Sequence, residues 1–127
     1  MERICLIVDD EPIIRTYLKT ILQSAGSQGL EAENAPQAFR MLQKLNGGVN
    51  LVLSDIQMPG EMNGVDLAHA IRDAFPGVPV ILISGYAESA KYRGGRFDPI
   101  QKPFAPPTIL AAVRKPTDSC ESRPASS

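Results

Sequence analysis

The chain has only two cysteines and no long apolar run, and each scarcity excludes a class of protein. Cys5 lies in an apolar run and Cys120 in a polar tail, so a disulfide framework is not expected and a reducing compartment is indicated. No apolar stretch approaches the length of a membrane span, and Met1-Glu2-Arg3 leads directly into an apolar run rather than a signal peptide. The sequence therefore predicts a small cytoplasmic protein.

A strong charge of either sign is also lacking. The 13 lysines and arginines against 14 aspartates and glutamates leave a formal net charge of −1. This near-neutral balance gives no electrostatic reason to expect nucleic acid or an acidic membrane surface as a partner. The one histidine, His69, lies on the polar side of a predicted helix without a neighbour at ligand spacing, so we interpret it as a surface residue.

What the chain does contain is an alternation of short apolar runs with helical periodicity, which is typical of βαβ units. Its 127 residues are enough for one domain with a buried core. The predicted strands are residues 3–8, 30–33, 50–54, 79–83 and 96–101. The predicted helices are residues 12–25, 36–45, 63–75, 87–92 and 107–114.

The composition of the runs predicts their arrangement. The first, third and fourth strands are continuously apolar, which indicates central strands of a parallel sheet covered on both faces. Right-handed crossovers then place helices on both sides of that sheet. Residues 1–114 are expected to form this α/β domain, and residues 115–127, rich in proline, serine and charge, to form a disordered tail.

Four apolar runs each end on chemically reactive side chains. The run ends carry, in chain order, Asp9-Asp10-Glu11, Asp55, Ser84-Gly85 and Lys102. The carboxyl ends of parallel strands meet at one edge, where open α/β sheets bind their ligands. The sequence therefore predicts three carboxylates, a hydroxyl and an ammonium together at one edge.

These groups suit a divalent cation and a phosphoryl group. Mg²⁺ prefers oxygen ligands and is usually held by one or two carboxylates plus phosphate oxygens. A carboxylate at such a site can attack phosphorus and form an aspartyl phosphate, while Lys102 and Ser84 bind phosphoryl oxygens. Alone, each aspartate would more often cap a helix, the serine would lie in a turn and the lysine on the surface; together they favour the chemical interpretation.

The motifs, in this order, resemble the receiver domain of bacterial two-component response regulators, and the resemblance covers residues 3–113. They are Val8-Asp9-Asp10-Glu11-Pro12, Asp55-Ile56-Gln57-Met58-Pro59-Gly60, Asn63-Gly64, Ser84-Gly85-Tyr86-Ala87 and Lys102-Pro103-Phe104. The resemblance implies a flavodoxin-like, doubly wound sheet of five parallel strands in the order 2-1-3-4-5. Helices cover both faces, and the fourth helix is short.

The resemblance also implies a function and roles for the site residues. Asp55 would accept a phosphoryl group from a histidine kinase or a histidine phosphotransfer protein, and the change would alter binding to a protein output partner. Ser84 and Lys102 would bind the phosphoryl group. The implied Mg²⁺ ligands are Asp10, Asp55, the backbone carbonyl of Gln57, and Asp9 acting largely through water. The chain would be a signalling domain that catalyses only its own phosphorylation and slow dephosphorylation, rather than an enzyme.

Two departures from the family pattern motivate an alternative. Pro99 stands three positions before Lys102, where an aromatic switch residue is usual, and Phe97 is its candidate substitute. The segment between Ser84 and Lys102 is also short. Both fit an interaction module that works without phosphorylation, although the complete acidic set argues against it.

A third hypothesis is a Mg²⁺-dependent phosphatase with an aspartate nucleophile on the first strand. Such enzymes resemble this fold but need a second aspartate two residues after the nucleophile, and here Asp9 is followed by Glu11 at that spacing. The chain also has little spare length for a cap over a substrate. Within the leading hypothesis, the sequence does not separate a phosphate sink from a partner-binding switch.

Overall fold

The computed structural model describes residues 3–58, 60–85, 99–102 and 104–113. In these ranges strands and helices alternate along the chain. The strands are β1 (Arg3–Val8), β2 (Ser27–Ala32), β3 (Leu51–Asp55), β4 (Val80–Ser84) and β5 (Ile100–Gln101). The helices are α1 (Pro12–Ser24), α2 (Ala35–Lys44), α3 (Gly64–Ala74) and α4 (residues 106–113).

The five strands form one parallel sheet in the order β2-β1-β3-β4-β5, which confirms the predicted topology. The register aligns the carboxyl ends of β1 and β3, because Val8 pairs with Ser54 and each is followed by an aspartate. Ser84 pairs with Gln101 in the same way at the ends of β4 and β5. The residues that follow these strands therefore start from one edge of the sheet.

Alternate residues of each central strand enter two separate apolar layers. On one face, Cys5 and Ile7 of β1 pack with residues of α1 and α4. On the other face, Leu6 and Val8 pack with residues of α2 and α3. Coverage of both faces explains the continuously apolar strands, and it confirms the doubly wound α/β architecture.

The helix beginnings near the site follow from local sequence. Pro12 opens α1, where its fixed φ and missing N–H suit the first helical position. The side chain of Asn34 accepts a hydrogen bond from the Gln37 N–H (2.8 Å) at the start of α2. Asn63 and Asp66 form a capping box at the start of α3, each side chain accepting from the other's backbone N–H.

The largest difference from prediction is the second strand. It was expected at residues 30–33 and lies at Ser27–Ala32. Its first half alternates buried Ser27 and Gly29 with exposed Gln28, so the buried positions carry no apolar signal. The expected helix at residues 87–92, Phe97 and the tail at residues 115–127 lie outside the described residues. Among the helices that are described, none is long and apolar enough to span a membrane.

Candidate functional site

The predicted acidic cluster forms at the carboxyl edge of the sheet. Asp9 and Asp10 directly follow β1, and Asp55 is the last residue of β3. One carboxylate oxygen from each of the three residues lies within 4.8 Å of the others. Asp9 and Asp55 are buried, whereas Asp10 is exposed, so the cluster is open to solvent on the side of Asp10.

Lys102 brings a positive charge to this cluster from the end of β5. Its Nζ lies 3.6 Å from Oδ2 of Asp55 and 3.9 Å from Oδ2 of Asp9. Both distances exceed that of a good hydrogen bond, so the charges attract one another without forming a tight ion pair. The backbone N–H of Lys102 donates to the carbonyl oxygen of Ser84 (2.7 Å), which fixes the start of this side chain against β4.

Burial makes the charged form of two of these carboxylates costly. It raises the pKa of Asp9 to about 6, against the opposing effect of the Glu11 N–H, which donates to Oδ1 of Asp9 (2.9 Å). The charges of Asp55 and Asp10 raise this pKa further, and Lys102 lowers it. Burial also raises the pKa of Asp55, and the nearby ammonium of Lys102 is the main opposing influence. A cation bound among these oxygens would offset both costs.

The donor set therefore fits Mg²⁺. Three carboxylates supply hard oxygen ligands, and the exposed position of Asp10 leaves access for water or for a ligand's own oxygens. Asp9, Asp10 and Asp55 are the residues that could hold the ion.

Ser84 and Gln57 lie at the same edge as the acidic cluster. Ser84 ends β4, is buried, and its hydroxyl donates to the carbonyl oxygen of Gly85 (3.3 Å). Gln57 is exposed, two residues after Asp55. Their phosphoryl-binding and metal-binding roles stay predictions. Pro99, half-buried directly before β5, occupies the position of the usual aromatic residue.

The alternative in which the aspartates cap helices is wrong for the described helices. The N-cap residues of α1, α2 and α3 are Glu11, Asn34 and Asn63. Asp55 lies well before Asn63 in the chain. The buried carboxylates therefore have no capping role at these helices that would account for them.

A close approach of backbone fixes the loop after Asp55. The N–H of Gly64 donates to the carbonyl oxygen of Ile56 (2.8 Å). A Cβ at position 64 would overlap the carbonyl oxygen of Asp55 and approach the Cα of Ile56 to 2.8 Å. Only glycine allows α3 to begin this close to the end of β3, so Gly64 sets the position of the Asp55 backbone.

Gly64→Ala is expected to lower the free energy of unfolding by about 2 kcal/mol, because the added methyl group must displace backbone rather than a flexible side chain. Urea denaturation followed by circular dichroism measures this change. Gly77→Ala is the matched control, since nothing lies within 4 Å of a Cβ at position 77. Equal stability of the two variants would contradict the structural role of Gly64.

Sequence reasoning missed Arg15, whose guanidinium contacts the same loop. Its Nη1 donates to the carbonyl oxygen of Asp9 (2.7 Å), and its Nε donates to Oε1 of Glu31 on β2 (2.9 Å). One signal was available. A positive charge in the first turn of a helix opposes the helix dipole, so Arg15 in α1 needed a local partner.

Comparisons with known proteins agree with this fold and arrangement. The family model for the response regulator receiver domain matches residues 5–114. The structure of a CheY-like response regulator receiver domain protein from Methanospirillum hungatei superposes with a TM-score of 0.81 at 28% identity, covering 96% of this chain and 98% of that chain.

Curated relatives are longer than this chain. The sensor kinase CckA of Brucella abortus is 34% identical over 114 residues, which cover 87% of this chain and 12% of that protein. The DNA-binding response regulator MtrA of Mycolicibacterium smegmatis is 30% identical over 129 aligned positions, covering 98% of this chain and 55% of that protein. The chain thus spans about half or less of these two relatives.

Proposed function

Because the chain belongs to the family of response regulator receiver domains, we propose that Asp55 accepts a phosphoryl group from a phosphohistidine in a Mg²⁺-dependent reaction. The observation that carries this proposal is the surroundings of Asp55: a buried carboxylate with Lys102 Nζ 3.6 Å from its Oδ2 and two further carboxylates within 4.8 Å. The result would be a change in binding to a protein output partner.

In the proposed transfer, an oxygen of the ionised Asp55 carboxylate attacks phosphorus. An O–P bond forms as the P–N bond to the donor imidazole breaks, and its electron pair stays with the imidazole nitrogen. Lys102 neutralises charge on the phosphoryl oxygens, and the Ser84 hydroxyl turns from Gly85 to donate to one of them. Mg²⁺ would supply further positive charge when bound. Asp10, Asp55 and the backbone carbonyl of Gln57 would hold the ion, with Asp9 acting largely through water.

The product would be an acyl phosphate, and its slow hydrolysis would return Asp55 to a carboxylate. Such a domain turns over no external substrate beyond its phosphodonor. The donor is proposed to be a sensor histidine kinase or a histidine phosphotransfer protein, and the location the cytoplasm. Phosphorylation would replace the single charge of the Asp55 carboxylate with the roughly two negative charges of an acyl phosphate. This net gain of about one negative charge at the edge of the sheet would bias a conformational equilibrium.

The test is uptake of phosphate by the purified protein. With Mg²⁺ and acetyl phosphate, or with phosphorylated histidine kinases, intact mass spectrometry is expected to show one added phosphoryl group, and EDTA is expected to prevent it. Beryllofluoride with Mg²⁺ should shift the amide NMR signals of residues around Asp55. An unchanged spectrum would instead favour the phosphorylation-independent interaction module, and turnover of a small phosphoester would favour the phosphatase.

An exposed apolar patch beside the site suggests where the donor protein binds. Ile13, in the first turn of α1, is 81% exposed, and Tyr17 one turn later is 41% exposed. The Tyr17 ring stacks on Phe104, with ring centroids 5.8 Å apart, and Phe104 follows Lys102 by two residues. Large apolar side chains exposed next to a reactive site are typical of a protein contact surface. We assign this patch to the phosphodonor protein.

Ile13→Asn is therefore expected to slow phosphoryl transfer from a kinase by about tenfold, because the interface with the donor protein loses one buried apolar side chain. Labelling by acetyl phosphate needs no protein contact and should keep its rate. Leu45→Asn is the matched control, because Leu45 is 41% exposed at the far end of α2. Transfer rates are compared by gel autoradiography. Equal slowing in both variants would count against this assignment.

A further inference from the structure

The side chain of Arg15 connects the loop that carries Asp9 and Asp10 to β2, which is one of the two edge strands of the sheet. Its Nε lies 2.9 Å from Oε1 of Glu31 on β2, and its Nη1 donates to the carbonyl oxygen of Asp9 at 2.7 Å. The Arg15 side chain is only 12% exposed, so these contacts are held within the fold. The carbonyl of Asp9 belongs to the peptide group that joins Asp9 to Asp10.

The direction of the Asp10 side chain depends on this peptide group. Asp10 is exposed, and within the described ranges no hydrogen bond to its carboxylate fixes its orientation. The backbone around it is held on both sides instead. Arg15 binds the preceding carbonyl, and the N–H of the following Glu11 donates to Oδ1 of Asp9 (2.9 Å).

We propose that Arg15 is a positioning residue for the metal-binding carboxylate Asp10, and that Glu31 holds Arg15 in place. This inference rests on the proposed Mg²⁺-dependent function. The hydrogen bond from Arg15, together with Lys19, lowers the pKa of Glu31, as expected for a carboxylate that pairs with both cations. The rigid fork of a guanidinium can bond the carboxylate and the carbonyl at the same time, which a lysine ammonium does less well.

The sign of the expected effect separates positioning from simple electrostatics. Removing a positive charge near a cation site should tighten Mg²⁺ binding, because one repulsion is lost. By contrast, a metal-binding carboxylate that is no longer held in its orientation should bind Mg²⁺ more weakly. Residues that orient metal ligands typically cost tenfold or more in metal affinity when they are replaced. Lys19 supplies the electrostatic reference, since its Nζ lies 3.3 Å from Oε2 of the same Glu31 but it makes no hydrogen bond to Asp9 in the described structure.

Isothermal titration of the metal-free protein with MgCl₂ tests this inference. Arg15→Met is expected to raise the Mg²⁺ dissociation constant about tenfold, while Lys19→Met leaves it unchanged or slightly lower. Arg15→Lys should lie between Arg15→Met and wild type. The proposal is overturned if Arg15→Met binds Mg²⁺ as tightly as Lys19→Met. If Arg15→Met does not fold, the proposal is overturned when Arg15→Lys has the same Mg²⁺ dissociation constant as wild type.

Amide hydrogen exchange in EDTA measures the same restraint without metal. The N–H of Glu11 is expected to exchange faster in Arg15→Met than in Lys19→Met. Equal exchange rates would overturn the positioning role. A different outcome is that wild type binds no Mg²⁺ but the Glu11 exchange rates of the two variants still differ. That result would refute the proposed function and the role of Arg15 in metal binding, and Arg15 would then only restrain the backbone.

Discussion

Asp55→Asn is expected to take up no phosphoryl group from acetyl phosphate or from any phosphorylated histidine kinase. Asparagine has nearly the same shape as aspartate, so the buried end of β3 can keep its structure. Its amide lacks the anionic oxygen that attacks phosphorus. Uptake should fall to the level of a blank without protein, the largest change expected for any variant of this chain.

Intact mass spectrometry and autoradiography both measure this loss. Asp73→Asn is the control, because Asp73 is an exposed carboxylate near the end of α3. It should take up phosphate at the wild-type rate. Circular dichroism is used to confirm that Asp55→Asn is folded. Phosphate that persists on the folded variant would refute the central proposal, and peptide mapping would then locate the true acceptor.

Asp9→Asn is expected to make the metal-free protein more stable at neutral pH. Burial raises the pKa of Asp9 from 3.8 to about 6, so the folded state must hold a charge that costs less in the unfolded chain. A shift of this size corresponds to as much as about 3 kcal/mol above pH 6. Asparagine removes that cost, and its side-chain oxygen can still accept the N–H of Glu11.

The pH dependence follows from the direction of the shift. Between 3.8 and about 6 the folded state binds more protons at Asp9 than the unfolded state does. The contribution of Asp9 to stability therefore falls as the pH rises through this window. Below it, Asp9 is protonated in both states, and wild type and Asp9→Asn should have nearly equal free energies of unfolding. Above it, the variant should be the more stable protein.

Urea denaturation in EDTA at several pH values measures the difference in the free energy of unfolding between wild type and Asp9→Asn. This difference removes the contributions of titrating groups that do not interact with Asp9. Added Mg²⁺ should stabilise wild type more than the variant and so narrow the gap. Asp73→Asn is again the control, since that carboxylate is exposed on α3. A less stable Asp9→Asn at neutral pH in EDTA would show that burial does not disfavour the charge of Asp9.

Local sequence was sufficient to predict a parallel α/β sheet with reactive residues at one edge, and the family resemblance supplied the strand order. Strands such as Leu51–Asp55 are short apolar runs, and each run ends where reactive side chains begin. Parallel pairing then brings the ends to one edge, as the pairing of Val8 with Ser54 does for Asp9 and Asp55. The second strand was expected at residues 30–33 and not at Ser27–Ala32, because its first residues are serine, glutamine and glycine, which carry no strand signal.

The sequence by itself determined which elements form, their order, and the set of reactive residues at their ends, because these depend on the periodicity of neighbouring residues. Only the tertiary structure decided how those residues are held. Three features of the site arise only in the folded chain: the burial of Asp9, the contact of Gly64 with the Asp55 backbone, and the bridge that Arg15 makes from Glu31 to Asp9. Such contacts depend on distances across the folded sheet, and no local pattern in the chain encodes those distances.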